Sequence, residues 1–129
     1  MRQKILVIED NEQNLYMITF LLEKHGYEVI QARDGREGIE LAGRVKPSLI
    51  LLDIQLPLMD GYAVARELRL NPATACVPIV AVTSYAMAGD RERGLAMGCN
   101  GYIEKPIDPE TFVAEIARHM PERQGDQRE

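Results

Sequence analysis

The chain has 129 residues, 46% of them hydrophobic and 27% charged, with a formal charge of −5. That is about one globular domain, able to bury roughly two-thirds of its unfolded surface without a disulfide or metal to staple it. The acidic balance excludes nucleic acid as the direct partner, because such binding depends on neutralising phosphates, and two cysteines, Cys76 and Cys99, make neither a disulfide scaffold nor a zinc spacing.

The N-terminal apolar run is too short for a signal peptide, and no stretch reaches the roughly eighteen residues of a membrane span. The sequence therefore predicts a soluble, reduced, cytoplasmic domain over residues 1–120, with a polar, flexible tail over 121–129.

In chain order, Ile5-Leu6-Val7-Ile8 is a short, continuous, β-branched run, the pattern of a strand buried on both faces. A helical segment follows and closes at His25-Gly26, Gly being suited to a left-handed turn. Glu28 to Ala32 is a more polar strand, as at a sheet edge, and Asp34 can cap the helix after it. Leu49 to Leu52 and Ile79 to Val82 repeat the buried-strand signature, with Asp60 capping the helix between them. A fourth helix is expected around Ala86, Met87, Leu95, Ala96 and Met97, then a strand at Gly101 to Glu104. Asp108-Pro109-Glu110 reads as the start of the last helix, which carries Phe112, Val113, Ile116, Ala117 and Met120 at helical spacing. Five strands alternating with five helices predict a doubly wound α/β fold with a parallel sheet and helices on both faces.

In such a sheet, sites form at the carboxyl ends of the strands. Glu9 and Asp10 follow the first strand, Asp53 ends the third, Thr83-Ser84 ends the fourth, and Lys105-Pro106 follows the fifth. Three carboxylates in one volume repel unless a positive charge sits among them. Magnesium, a hard cation that takes a few carboxylates and keeps waters, suits this donor set. A carboxylate can carry an aspartyl-phosphate, with Lys105 and a hydroxyl neutralising the phosphoryl oxygens. Asp53, alone at the centre of the sheet, is the expected nucleophile.

These residues resemble the receiver domain of two-component response regulators over residues 4 to 120. The resemblance is carried by Glu9-Asp10-Asn11, by Asp53 with Pro57 and Gly61, by Thr83 thirty positions after Asp53, and by Lys105-Pro106 twenty-two further on. The stretches Asp-Ile-Gln-Leu-Pro and Val-Thr-Ser-Tyr-Ala-Met are especially similar to the single-domain, DivK-like type. The resemblance implies a flavodoxin-like sheet in the order 2-1-3-4-5. It further implies a phosphorylation-controlled signalling module rather than an enzyme, with a histidine kinase, phosphotransfer protein or small phosphodonor supplying Asp53. Asp10, Asp53 and the backbone carbonyl of Gln55 would hold Mg²⁺, with Glu9 acting through water. Lys105, Thr83 and Ser84 would stabilise the phosphoryl group, Thr83 and Tyr102 would switch, and the Lys105-Pro106 peptide would be cis. A downstream protein would read the result. A receiver cut from a hybrid histidine kinase would look the same.

Other features keep two readings each. Gln55 and Tyr85 flank the site two positions past Asp53 and Thr83; Tyr85 either shields a phosphoryl group from water or is a surface aromatic without kinetic effect. The first helix has more apolar residues than one stripe can use. Met17, Ile18, Leu21 and Leu22 form its expected buried face, leaving Leu15, Tyr16 and Phe20 at the rim, either as a kinase-docking surface or as a wide helix covered by its neighbours. The methionines around the fourth helix suit a partner surface or core filling.

Two rivals on the same fold fail at single positions. A hydrolase resembling the haloacid dehalogenases needs an acid where Gln55 stands, and a nucleotide or flavin binder needs a Gly-rich loop where Glu9 to Glu12 stand.

Overall fold

The structure is a computed structural model that describes residues 2–84, 92 and 95–121. Five strands, β1 (Lys4–Ile8), β2 (Glu28–Ala32), β3 (Leu49–Asp53), β4 (Ile79–Thr83) and β5 (Gly101–Glu104), form one parallel sheet in the order β2-β1-β3-β4-β5. Four helices are found among the described residues: α1 (Glu12–Lys24), α2 (Gly35–Val45), α3 (Gly61–Leu70) and α4 (Phe112–His119). The helix expected between β4 and β5 falls mostly on residues outside those described, and Leu95 and Ala96 lie in a helical turn.

Alternation along each strand sends side chains to opposite faces, and each face buries its own core. Ile5, Val7, Leu49, Leu51, Val80 and Val82 pack with Leu15, Ile18 and Leu22 of α1 and with Phe112 and Ile116 of α4. Leu6, Ile8, Ile50, Leu52, Ile79 and Ala81 pack with Ala42 of α2 and with Val64, Ala65 and Leu68 of α3. The central strand β3 is buried at every residue, whereas the edge strand β2 is largely half-buried, as its polar sequence anticipated.

Helix starts follow side-chain chemistry. Asn11, Asp34 and Asp60 each accept a hydrogen bond from the backbone N–H three residues on, satisfying a donor the helix leaves open. Gly26, at φ +92°, makes the left-handed turn that closes α1. The last helix departs from expectation. It begins at Phe112, because the Asp108 carboxylate accepts from Glu110 N and the Asp108 carbonyl from Thr111 N and Phe112 N. Asp108 thus organises a turn that precedes the helix rather than capping it.

At the amino end of β5 a guanidinium joins three segments. Arg69, near the end of α3, donates to the carbonyls of Thr74, Ala75 and Val77 at 3.3, 3.1 and 2.6 Å. It also reaches the Gly98 carbonyl at 2.8 and 3.0 Å and Asn100 Oδ1 at 2.7 Å. Asn100 Oδ1 accepts from Ile79 N as well, so the clamp ties the approach to β5 onto β4.

Candidate functional site

The order of strands reverses between β1 and β3, which opens a crevice at their carboxyl ends. Parallel register brings the strand ends level: Ile8 pairs with Leu52, Asp53 with Val82 and Thr83 with Glu104. The residues that follow the strands therefore meet at one edge.

Glu9 and Asp53 are buried there and Asp10 is exposed, with carboxylate oxygens of all three within 4.8 Å of one another. Lys105 Nζ lies 3.3 Å from Asp53 Oδ1 and 3.7 Å from Glu9 Oε1. Burial first, and the Asp53 charge second, push the Glu9 carboxyl up to about 7, against the opposing pull of the Asn11 N–H and Lys105. One ammonium thus incompletely balances two buried acids. The donor set, three carboxylates of which one faces solvent, fits a hard divalent cation that keeps part of its water.

Gln55 joins the end of β3 to the end of β4. Its backbone N–H donates to Asp53 Oδ1 at 3.0 Å, its side-chain amide donates to Thr83 Oγ1 at 2.6 Å, and its amide oxygen accepts from Ser84 N at 3.1 Å. The Lys105-Pro106 peptide is cis, as expected. Glu9, Asp10, Asp53, Gln55, Thr83, Ser84 and Lys105 are thereby brought together.

A model of the response regulator receiver domain matches residues 5–117. The chain belongs to that receiver family. It is 40% identical to the polar-differentiation response regulator DivK of Brucella anthropi over 120 residues, 93% of this chain and 98% of the relative, and equally so to that of Brucella ovis. Among solved receivers, it superposes on Vibrio cholerae chemotaxis protein CheY4 with a TM-score of 0.89 at 28% identity, covering 93% of this chain and 100% of that one. The receiver domain of a Pseudomonas aeruginosa sensor histidine kinase, solved with magnesium coordinated in its active-site cleft, matches with a TM-score of 0.85 at 37% identity over 92% of this chain and 98% of that one.

The remaining predicted residues of this receiver divide. Tyr16 and Phe20 are exposed on α1, with the Lys24 ammonium 5.9 Å above the Phe20 ring. Leu15 is a correction: it is 1% exposed and packs into the core beside Ile18 and Leu22, because positions three and seven residues apart share one helix face. Met17 and Leu21 are only half-buried. Tyr102 is half-buried, its hydroxyl 3.2 Å from that of Tyr62. Tyr85, Ala86 and Met87 lie outside the described residues.

Sequence reasoning missed Tyr62 and Arg69, whose partners lie up to 40 and 31 residues away. The one local signal was Gly61 beside Tyr62, which marks a close backbone approach but not its partner. No described helix is long and apolar enough to cross a membrane.

Proposed function

We propose that Asp53 is the phosphoacceptor of a cytoplasmic signalling receiver, and that its phosphorylation controls binding to a downstream protein or onward relay of the phosphate. The observation that carries this reading is the buried Asp53 carboxylate, held by Lys105 at 3.3 Å and by the Gln55 N–H at 3.0 Å beside two further acids. An Asp53 oxygen attacks phosphorus, the bond from phosphorus to the donor breaks, and the donor takes the electron pair. Lys105 follows the charge from the carboxylate to the phosphoryl oxygens, and the Thr83 hydroxyl and Ser84 lie on the adjoining strand end to receive another oxygen. Asp10, Asp53 and the Gln55 carbonyl would hold Mg²⁺, with Glu9 acting through water; the ion's contribution is to neutralise phosphoryl charge. Chemistry of its own is then limited to gaining and losing this phosphate.

Incubation with Mg²⁺ and acetyl phosphate, followed by intact mass measurement, tests the reading. Wild type should gain one phosphate and Asp53→Ala none; equal gain by both would overturn it.

The partner reading adds a histidine kinase or phosphotransfer protein docking on α1 through Tyr16 and Phe20, supported by their exposure of 74% and 54%. Phe20→Glu should slow transfer from a protein donor while leaving acetyl phosphate unaffected. A free-standing regulator agrees with the 98% coverage of the DivK relatives, and a kinase-borne receiver agrees with the Pseudomonas likeness. The size of the native protein on an immunoblot separates the two.

A further inference from the structure

Helix α3 buries Val64, Ala65 and Leu68 in the core, and its other side presents Ala63, Arg66, Glu67 and Leu70. Ala63 is half-buried, while Arg66, Glu67 and Leu70 are exposed, the leucine at 76%. One open leucine is ordinary on a protein surface. The two charges beside it are what set this stripe apart.

Charged side chains on a helix meet partners three or four residues away. For Arg66 those positions hold Tyr62, Ala63, Arg69 and Leu70; for Glu67 they hold Ala63, Val64, Leu70 and Asn71. Neither charge has an opposite charge to meet within α3, and among the described residues neither belongs to an ion pair. On α2, by contrast, Arg36, Glu40 and Arg44 follow one another at intervals of four.

Turned about a two-fold axis that passes between Arg66 and Glu67, the stripe matches itself. Position 66 of one copy then faces position 67 of the other, and 63 faces 70. Arg66 meets Glu67 twice, and each Leu70 lies over the small Ala63 of the opposite helix. Isologous pairing of this kind is how a two-fold dimer is built, and a small residue opposite a large one suits helices packed about 8–10 Å apart.

We propose that the partner of this face is a second copy of the chain, docked through antiparallel α3 helices. The stripe runs only about 10 Å along the helix, so the contact belongs to the small, reversible class. Because α3 and α1 cover opposite faces of the sheet, such a dimer leaves Tyr16 and Phe20 open. The inference is independent of the reading of Asp53.

Sedimentation equilibrium of the full chain at low salt, from about 10 µM to about 1 mM, tests it, with a dissociation constant expected on the order of 100 µM. Leu70→Gln should weaken association roughly tenfold by removing apolar contact. Arg66→Glu and Glu67→Arg should each weaken it by roughly tenfold, since each places like charges opposite one another. The double variant Arg66→Glu/Glu67→Arg reverses both ends of the pair and should return to within about twofold of wild type. Recovery in the double variant cannot come from a folding defect, because it carries both changes. A wild type that stays monomeric throughout, association indifferent to Leu70→Gln, or a double variant no better than the singles would each overturn the proposal.

Discussion

Two cations stand at opposite ends of β5, and their surroundings differ in kind. At the amino end, Arg69 spends its donors on neutral acceptors: four backbone carbonyls and the Asn100 amide oxygen. At the carboxyl end, Lys105 faces two buried carboxylates, and one of them is forced toward neutrality. Burial lowers the Arg69 guanidinium from its usual value, yet among the described residues no carboxylate is drawn in to compensate. A cation satisfied by carbonyls has no negative charge to exchange for a ligand, so it serves as a fixed joint. A cation shared between crowded acids can be redistributed when a metal or a phosphoryl group arrives. The first arrangement stores rigidity and the second stores responsiveness.

The sharpest way to break this comparison is Arg69→Met, which keeps the apolar stem and leaves the acceptors unpaired. It should cost about 3 kcal/mol of stability at any pH, with affinity for Mg²⁺ unaltered; chemical denaturation and a metal titration check both halves. Lys105→Met should behave differently. In metal-free protein it should cost about 2 kcal/mol at pH 8, where the acids are left unbalanced, and much less at pH 5, where Glu9 holds a proton. Added Mg²⁺ should restore the pH 8 loss, which thermal melts would show.

The acids can be tested by themselves. A carboxyl raised to about 7 in the folded protein binds a proton more tightly there than in the unfolded chain, whose value is near 4.5. Its contribution is therefore fully present below about 4.5 and is lost as pH rises through about 7. Metal-free wild type should lose stability across that window, and Glu9→Gln should flatten the slope. An equal slope in the variant would assign it elsewhere. The smallest expected effect is Gln55→Ala, which removes the bonds to Thr83 and Ser84. It should lower stability by about 1 kcal/mol and alter the rate at which phosphorylated protein decays.

Much of this was legible along the chain. The strands stood out because a parallel sheet covered on both faces demands continuous apolar runs, and Leu49 to Leu52 or Ile79 to Val82 can hardly pack otherwise. The site was legible for a related reason: parallel strands all end at one edge, so Glu9, Asp10, Asp53, Thr83 and Lys105 were bound to converge once the strands were recognised. The phase of α1 was harder. Leu15 and Tyr16 are neighbours in sequence, and only the helix's rotation against the sheet buries one at 1% and exposes the other at 74%. Asp108 misled because the same carboxylate that can cap a helix can also close a turn.

What the amino-acid order determined alone is the alternation of elements and the acids, hydroxyl and ammonium at the strand ends, since hydrophobic period and chain direction are local properties. Tertiary structure decided the partners of those groups. The match of Arg69 with Gly98 and Asn100, of Gln55 with Thr83, and of Tyr62 with Tyr102 depends on how helices and loops settle over the sheet. A hydrogen bond needs its atoms placed within a few tenths of an ångström, and no periodicity in the chain carries that distance.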